Sequence, residues 1–140
     1  MANAQVSDSL KAFITADDPN TLEYWYTHDS ECPWAEEEAK SVIEGVIKRS
    51  RIKTEHGTGG PNNVYLNNIA RCLEANVGGH VAFFNIMFGD YGARGSLLFE
   101  KPYGGILTMP SKQFGLESLK SLVEGAVTDF VEVNFLSESY

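Results

Sequence analysis

Residues 28–40 read HDSECPWAEEEAK, and they place a histidine, a cysteine and five carboxylates within eleven positions. Three kinds of chemistry use such residues. A thiol at a helix N-terminus has its pKa lowered by the helix dipole, so Cys32 with His28 as base is a candidate nucleophile. The carboxylates Asp29, Glu31, Glu36, Glu37 and Glu38 oppose that activation by favouring the protonated thiol. His28 and Cys32 stand at i,i+4 spacing, but no helix is expected before Pro33 to hold them on one face, and zinc takes three or four protein ligands. Glu36, Glu37 and Glu38 turn by about 100° per residue round a helix, so they cannot converge on one ion. The stretch therefore predicts neither a metal nor another cofactor, and no catalytic residue. It reads as a helix start, with proline in the first turn and acid where the dipole favours it.

Other stretches carry weaker signals. The Gly57–Asn63 loop, GTGGPNN, could cradle an anion with backbone N–H groups, but it lacks the lysine and spacing of a P-loop. KRSRIK, residues 48–53, puts four cations at a helix end, where cations are expected anyway. The aromatic residues Trp25 and Trp34 flank the acidic stretch. Tryptophan and tyrosine are favoured at protein interfaces, because one end is apolar and the other hydrogen-bonds. Asp90, Tyr91 and Arg94 form a second candidate patch on a loop tip. The candidate partner-binding set is thus Trp25, Asp29, Glu31, Trp34, Glu36, Glu37, Glu38, Asp90, Tyr91 and Arg94.

Regular elements must position these residues. Val6, Leu10, Phe13 and Ile14 predict a helix over 5–15, and Leu22, Tyr24 and Tyr26 alternate as a short strand. Ala35, Ala39, Val42, Ile43 and Val46 predict a helix over 33–50, with Ser30 or Cys32 as N-cap. Tyr65, Ile69, Cys72 and Leu73 share one helical face, which predicts a helix over 61–76 closed by Gly78-Gly79. HVAFFNIMF reads as a central strand, SLLFE and ILTM as its antiparallel neighbours, residues 114–129 as a helix and VEVNF as a last strand. Val42, Ile43, Val46, Phe83, Phe84, Leu119 and Val123 are expected in the core. The expected fold is α+β over residues 1–140 as one domain, with a mainly antiparallel sheet of three to five strands and about four helices packed on it.

Composition narrows the function. The chain has 140 residues and a net charge of −8. An acidic chain is repelled by nucleic-acid phosphates and steered toward basic partners. No window is long and apolar enough to span a membrane, and the first residues are not those of a signal peptide, so a cytoplasmic location is expected. Two cysteines make no disulfide framework, and both are expected to be reduced, Cys72 as inert core. In size, acidity and lack of a catalytic constellation the chain resembles small bacterial inhibitors such as immunity proteins, a resemblance of type that covers no motif. It implies a non-enzymatic module that blocks a basic toxin or enzyme sterically and electrostatically. The alternatives are a small enzyme or ligand-binding protein using the Gly57–Asn63 loop or Cys32, and an acidic chaperone for a secreted effector, which would use an exposed sheet and form a homodimer.

Overall fold

The computed structural model describes residues 7–57, 62–74, 79–92, 95–98 and 103–136. Helix α1 spans Asp8–Ile14, capped by Ser7, whose hydroxyl accepts from Leu10 N–H. Strand β1 (Glu23–His28) and helix α2 (Glu36–Arg49) follow. Then come β2 (Val64–Glu74), β3 (His80–Gly92), β4 (Gly95–Leu98) and β5 (Gly105–Met109). Helix α3 (Lys112–Val131) runs on into a π-helical turn at Glu132–Leu136.

This is the expected α+β class. The strand order is β1-β2-β3-β4, and β5 pairs β3 along the same edge as β4, so the sheet is four strands wide. β1 lies parallel to β2, and the β2–β3, β3–β4 and β3–β5 pairings are antiparallel. All three helices pack on one face. Toward them point Tyr24 and Tyr26 of β1, Val64, Leu66, Ala70 and Cys72 of β2, and Ala82, Phe84, Ile86 and Phe88 of β3. They meet Ile43, Val46 and Ile47 of α2 and Leu119, Val123 and Phe130 of α3 in one buried cluster.

Several expectations are overturned. Residues 64–74 form a strand, not a helix. Their apolar residues fit both periods, but Val64, Leu66, Asn68, Ala70 and Cys72 alternate inward, and eleven residues pair in register with β3. Gly79 has φ +74° and leads into β3, so it serves a strand connection rather than a helix cap. Residues 131–135 are not a strand: Asn134 donates to Phe130 O at 3.0 Å and Ile14 O at 2.9 Å, which prolongs α3 and ties it to the end of α1. Phe83 is 41% exposed, because odd-numbered residues of β3 face away from the helices. Cys32 and Cys72 are joined by a disulfide rather than reduced. Val42 is half-buried, while Ile43, Val46, Phe84, Leu119 and Val123 are buried as expected.

Candidate partner-binding corner

The acidic stretch around Cys32 is committed to structure. The Asp29 carboxylate accepts from Cys72 N–H at 3.2 Å, and Glu31 accepts from Glu74 N–H at 3.3 Å, so both tie the segment to β2 beside the disulfide. Asp29, Cys32 and Cys72 hold possible ligand atoms within 4.8 Å of one another. The two sulfurs are bonded to each other, however, and thiolate is the form that binds metal. Helix α2 starts later than expected, with Ala35 as N-cap: Glu38 returns to Ala35 N–H at 2.8 Å. That bond, and then the Lys112 ammonium at 2.9 Å, hold the Glu38 carboxyl below its ordinary pKa. Lys40, at 3.1 Å, does the same to Glu36. Glu37 is exposed. Trp34 is 3% exposed, stacks on Phe84 and donates its indole N–H to Tyr26 Oη at 2.7 Å. It is a core residue and not an accessible anchor.

Trp25 behaves differently. It sits on the sheet face that no described helix covers. Across the strands, Glu23, Tyr65 and Gly89 stand in one row. Gly89 leaves room for the Tyr65 ring, since a Cβ there would lie 2.1 Å from it. Two residues on, the Tyr91 ring lies 4.5 Å from that of Tyr65. The Tyr91 hydroxyl accepts from Trp25 Nε1 at 2.8 Å and donates to Glu23 Oε1 at 2.8 Å. Burial, with the Glu23 carboxylate, pushes the Tyr91 hydroxyl up to about 12, against the indole N–H that lowers it. Behind Trp25 lies Gly57, at φ +60°, where a Cβ would come 2.7 Å from the indole.

Two asparagines tie further acidic residues to the strand end next to Tyr91. Asn63 accepts from Asp17 N–H at 2.7 Å and donates to Asp90 Oδ2 at 3.2 Å. Asn62 holds Asp18 through its backbone N–H at 3.1 Å and its carbonyl at 3.0 Å. Asn62 and Asn63 thus tie Asp17, Asp18 and Asp90 to the strand end where Tyr91 N–H donates to Asn63 O at 2.8 Å, while Glu23 alone among these carboxylates accepts from the Tyr91 hydroxyl. Lys53, bridged to Thr21, is a cation of the same region. The structure brings together Trp25, Asp90, Tyr91 and the two ends of the Gly57–Asn63 loop. It leaves Asp29, Glu31 and the α2 carboxylates on other elements. Arg94 and residues 58–61 lie outside the described residues. Asp17, Asp18, Glu23 and Tyr65 are members that sequence reasoning missed. Glu23 and Tyr65 had no legible signal, because the parallel register of β1 on β2 places them and no local pattern reports it.

No family model and no curated protein sequence matches the chain. Among solved structures it is similar to PelC from Paraburkholderia phytofirmans, a dodecamer. One crystal form is 15% identical, with TM-score 0.50 over 79% of this chain and 86% of that one. A single-substitution variant of PelC is 14% identical, with TM-score 0.51 over 75% and 84%. At these identities the likeness shows the fold alone.

Proposed function

We propose that this chain is a non-enzymatic protein-binding module of the inhibitor or immunity type, and that it meets a basic partner through the Trp25–Tyr91 corner. The observation that supports this most is the corner itself. A half-buried tryptophan and a half-buried tyrosine are locked by a hydrogen bond on a sheet face that no described helix covers, with Glu23 accepting from the tyrosine and three aspartates tied to the neighbouring strand end. Rigid tryptophan and tyrosine anchors are enriched among interface hot spots. The surrounding acid would speed the encounter with a basic surface. The disulfide supports an oxidising compartment, since such bonds are rare in the cytosol.

The test begins with capture of the partner from the source cell by the wild-type chain, followed by its identification and kinetic measurement. Trp25→Ala should speed dissociation, and Asp17→Asn with Asp90→Asn should slow association in low salt. A partner that binds both variants as it binds wild type would remove the corner from the interface. A captured second copy of this chain would replace the inhibitor reading with self-association.

A further inference from the structure

Strand β5 lies on the outer edge of the sheet, and its hydrogen-bonding direction can be read residue by residue. Tyr103 N–H donates to Ile86 O at 2.6 Å, and the same register continues as Gly105↔Phe84, Leu107↔Ala82 and Met109↔His80. Those residues turn their backbone groups toward β3. Antiparallel alternation then turns the N–H and C=O of Ile106 and Thr108 away from the sheet. No described strand pairs with that side. Proteins guard such edges with charge or proline, and β5, GILTM, has neither. Ile106 is 72% exposed on the uncovered face. On the helix side, Phe114, Ser118 and Leu122 of α3 recur at helical spacing. With Gly105 and Leu107 they wall an apolar groove of about 420 Å³, and Glu117 lies in the same wall.

We propose that the groove between β5 and α3 receives an extended segment of a partner protein as an added strand, with an apolar side chain in the groove and a lysine or arginine against Glu117. The site is separate from the Trp25–Tyr91 corner and does not rest on the reading of that corner. Its dimensions fit. Phe114 to Leu122 spans about 12 Å of helix at ~1.5 Å per residue. Side chains on one face of a strand recur every ~6.6 Å, so two of them enter the groove. Edge hydrogen bonds give such a mode its affinity, and the alternate pockets give it specificity. Charge decides the occupant. A second copy pairing through its own β5 would bring another Glu117 to the same groove and join two chains of net charge −8. A basic, apolar segment meets the opposite sign.

The experiment titrates the full ¹⁵N-labelled chain with the peptide acetyl-Lys-Ile-Val-Ile-Thr-amide, whose first and third side chains enter the groove. Saturable amide shifts are expected at Ile106 and Thr108 and along α3 from Phe114 to Leu122. Thr108→Pro removes one outward N–H and keeps the ladder to β3, so binding should weaken by up to about tenfold. A backbone N-methylated peptide should not bind. A peptide with glutamate in place of lysine should bind more weakly to wild type and better to Glu117→Lys. Equal binding of the N-methylated peptide, or indifference to the lysine, overturns the proposal. So does a wild-type dimer in sedimentation that Thr108→Pro dissociates. If Thr108→Pro does not fold, the peptide arms and Glu117→Lys still decide.

Discussion

Cys32 and Cys72 are separated by 40 residues, and the bond between them closes the segment that contains α2 onto the end of β2. Loop-closure entropy predicts that Cys32→Ser with Cys72→Ser lowers stability by about 4 kcal/mol. Urea unfolding of the double variant beside the oxidised wild type measures this. Two titratable thiols in wild-type protein from its own cell, with an unchanged urea midpoint in the variant, would show that the bond is not part of the working molecule. The tyrosines give a second expectation at the same scale. Burial first, with Glu36 and Asp29 adding, pushes the Tyr26 hydroxyl up to about 12 despite the Trp34 N–H, and Tyr91 reaches a similar value. Tyr24 and Tyr103 are also raised, by burial and then by hydrogen bonds to Glu44 and Asp129. An unfolded tyrosine releases its proton near pH ~10. Below that pH both states hold the proton and stability does not change on this account. Between about 10 and 12 the unfolded chain ionises first, so stability falls as pH rises. Tyrosinate absorbance followed through alkaline unfolding reports this. Ionisation near pH 10 with the fold intact would place Tyr26 and Tyr91 in water.

Among the elements, those with one consistent period were legible, and those whose neighbours decide were not. Helix α2 could be read because Ala39, Ile43, Val46 and the i,i+4 pairs Glu36–Lys40 and Glu44–Lys48 all agree. Strand β2 could not. Ile69, Cys72 and Leu73 make a helical stripe on paper, and only pairing on both sides turns Ile69 and Leu73 to the uncovered face. The turn after Phe130 was misread for the same reason: VEVNF alternates, but Asn134 finds α1 and the preceding turn instead of a ladder. Trp25, Asp90 and Tyr91 of the candidate site were legible, because aromatic residues near turns announce themselves, whereas Glu23 and Tyr65 were not. The acid was sought at 29–38, whereas Asp17 and Asp18 are tied to Asn63 and Asn62, 46 and 44 residues away in the chain, and Asn63 in turn accepts from Tyr91 N–H. Side-chain direction on β3 gives the test at this scale. Phe84 is fully buried and stacks on Trp34, so Phe84→Ala should cost about 3–5 kcal/mol. Phe83 points the other way, so Phe83→Ala should change stability by no more than about 0.5 kcal/mol. Reversed urea midpoints for the two variants would mean that β3 pairs one residue out of the register described.

For the molecule as a whole the distribution of charge matters more than its sum. Residues 1–47 carry ten acidic and two basic side chains, and 48–53 carry four basic ones. Within that N-terminal acid, Glu36 and Glu38 lie at the start of α2, each paired with a lysine, whereas Asp17 and Asp18 are held by Asn63 and Asn62 at the strand end next to Tyr91. A carboxylate paired with a lysine projects less field than an unpaired one, because the two charges nearly cancel beyond a Debye length of ~8 Å. Long-range attraction of a basic partner should therefore come more from the corner than from the helix start. Changing Glu36, Glu37 and Glu38 together to glutamine should cost stability, through the lost dipole interaction of about 0.3–1 kcal/mol each, and leave the association rate nearly as it was. Asp17→Asn with Asp90→Asn should do the reverse. It should leave the urea midpoint nearly unchanged and slow association at low ionic strength, and the slowing should vanish as added salt screens the field. Stopped-flow association with the identified partner at several ionic strengths separates the two. If the α2 variant is the slower one, and its deficit is the one that salt removes, then the docking face is the helix start, and the Trp25–Tyr91 corner is part of the scaffold.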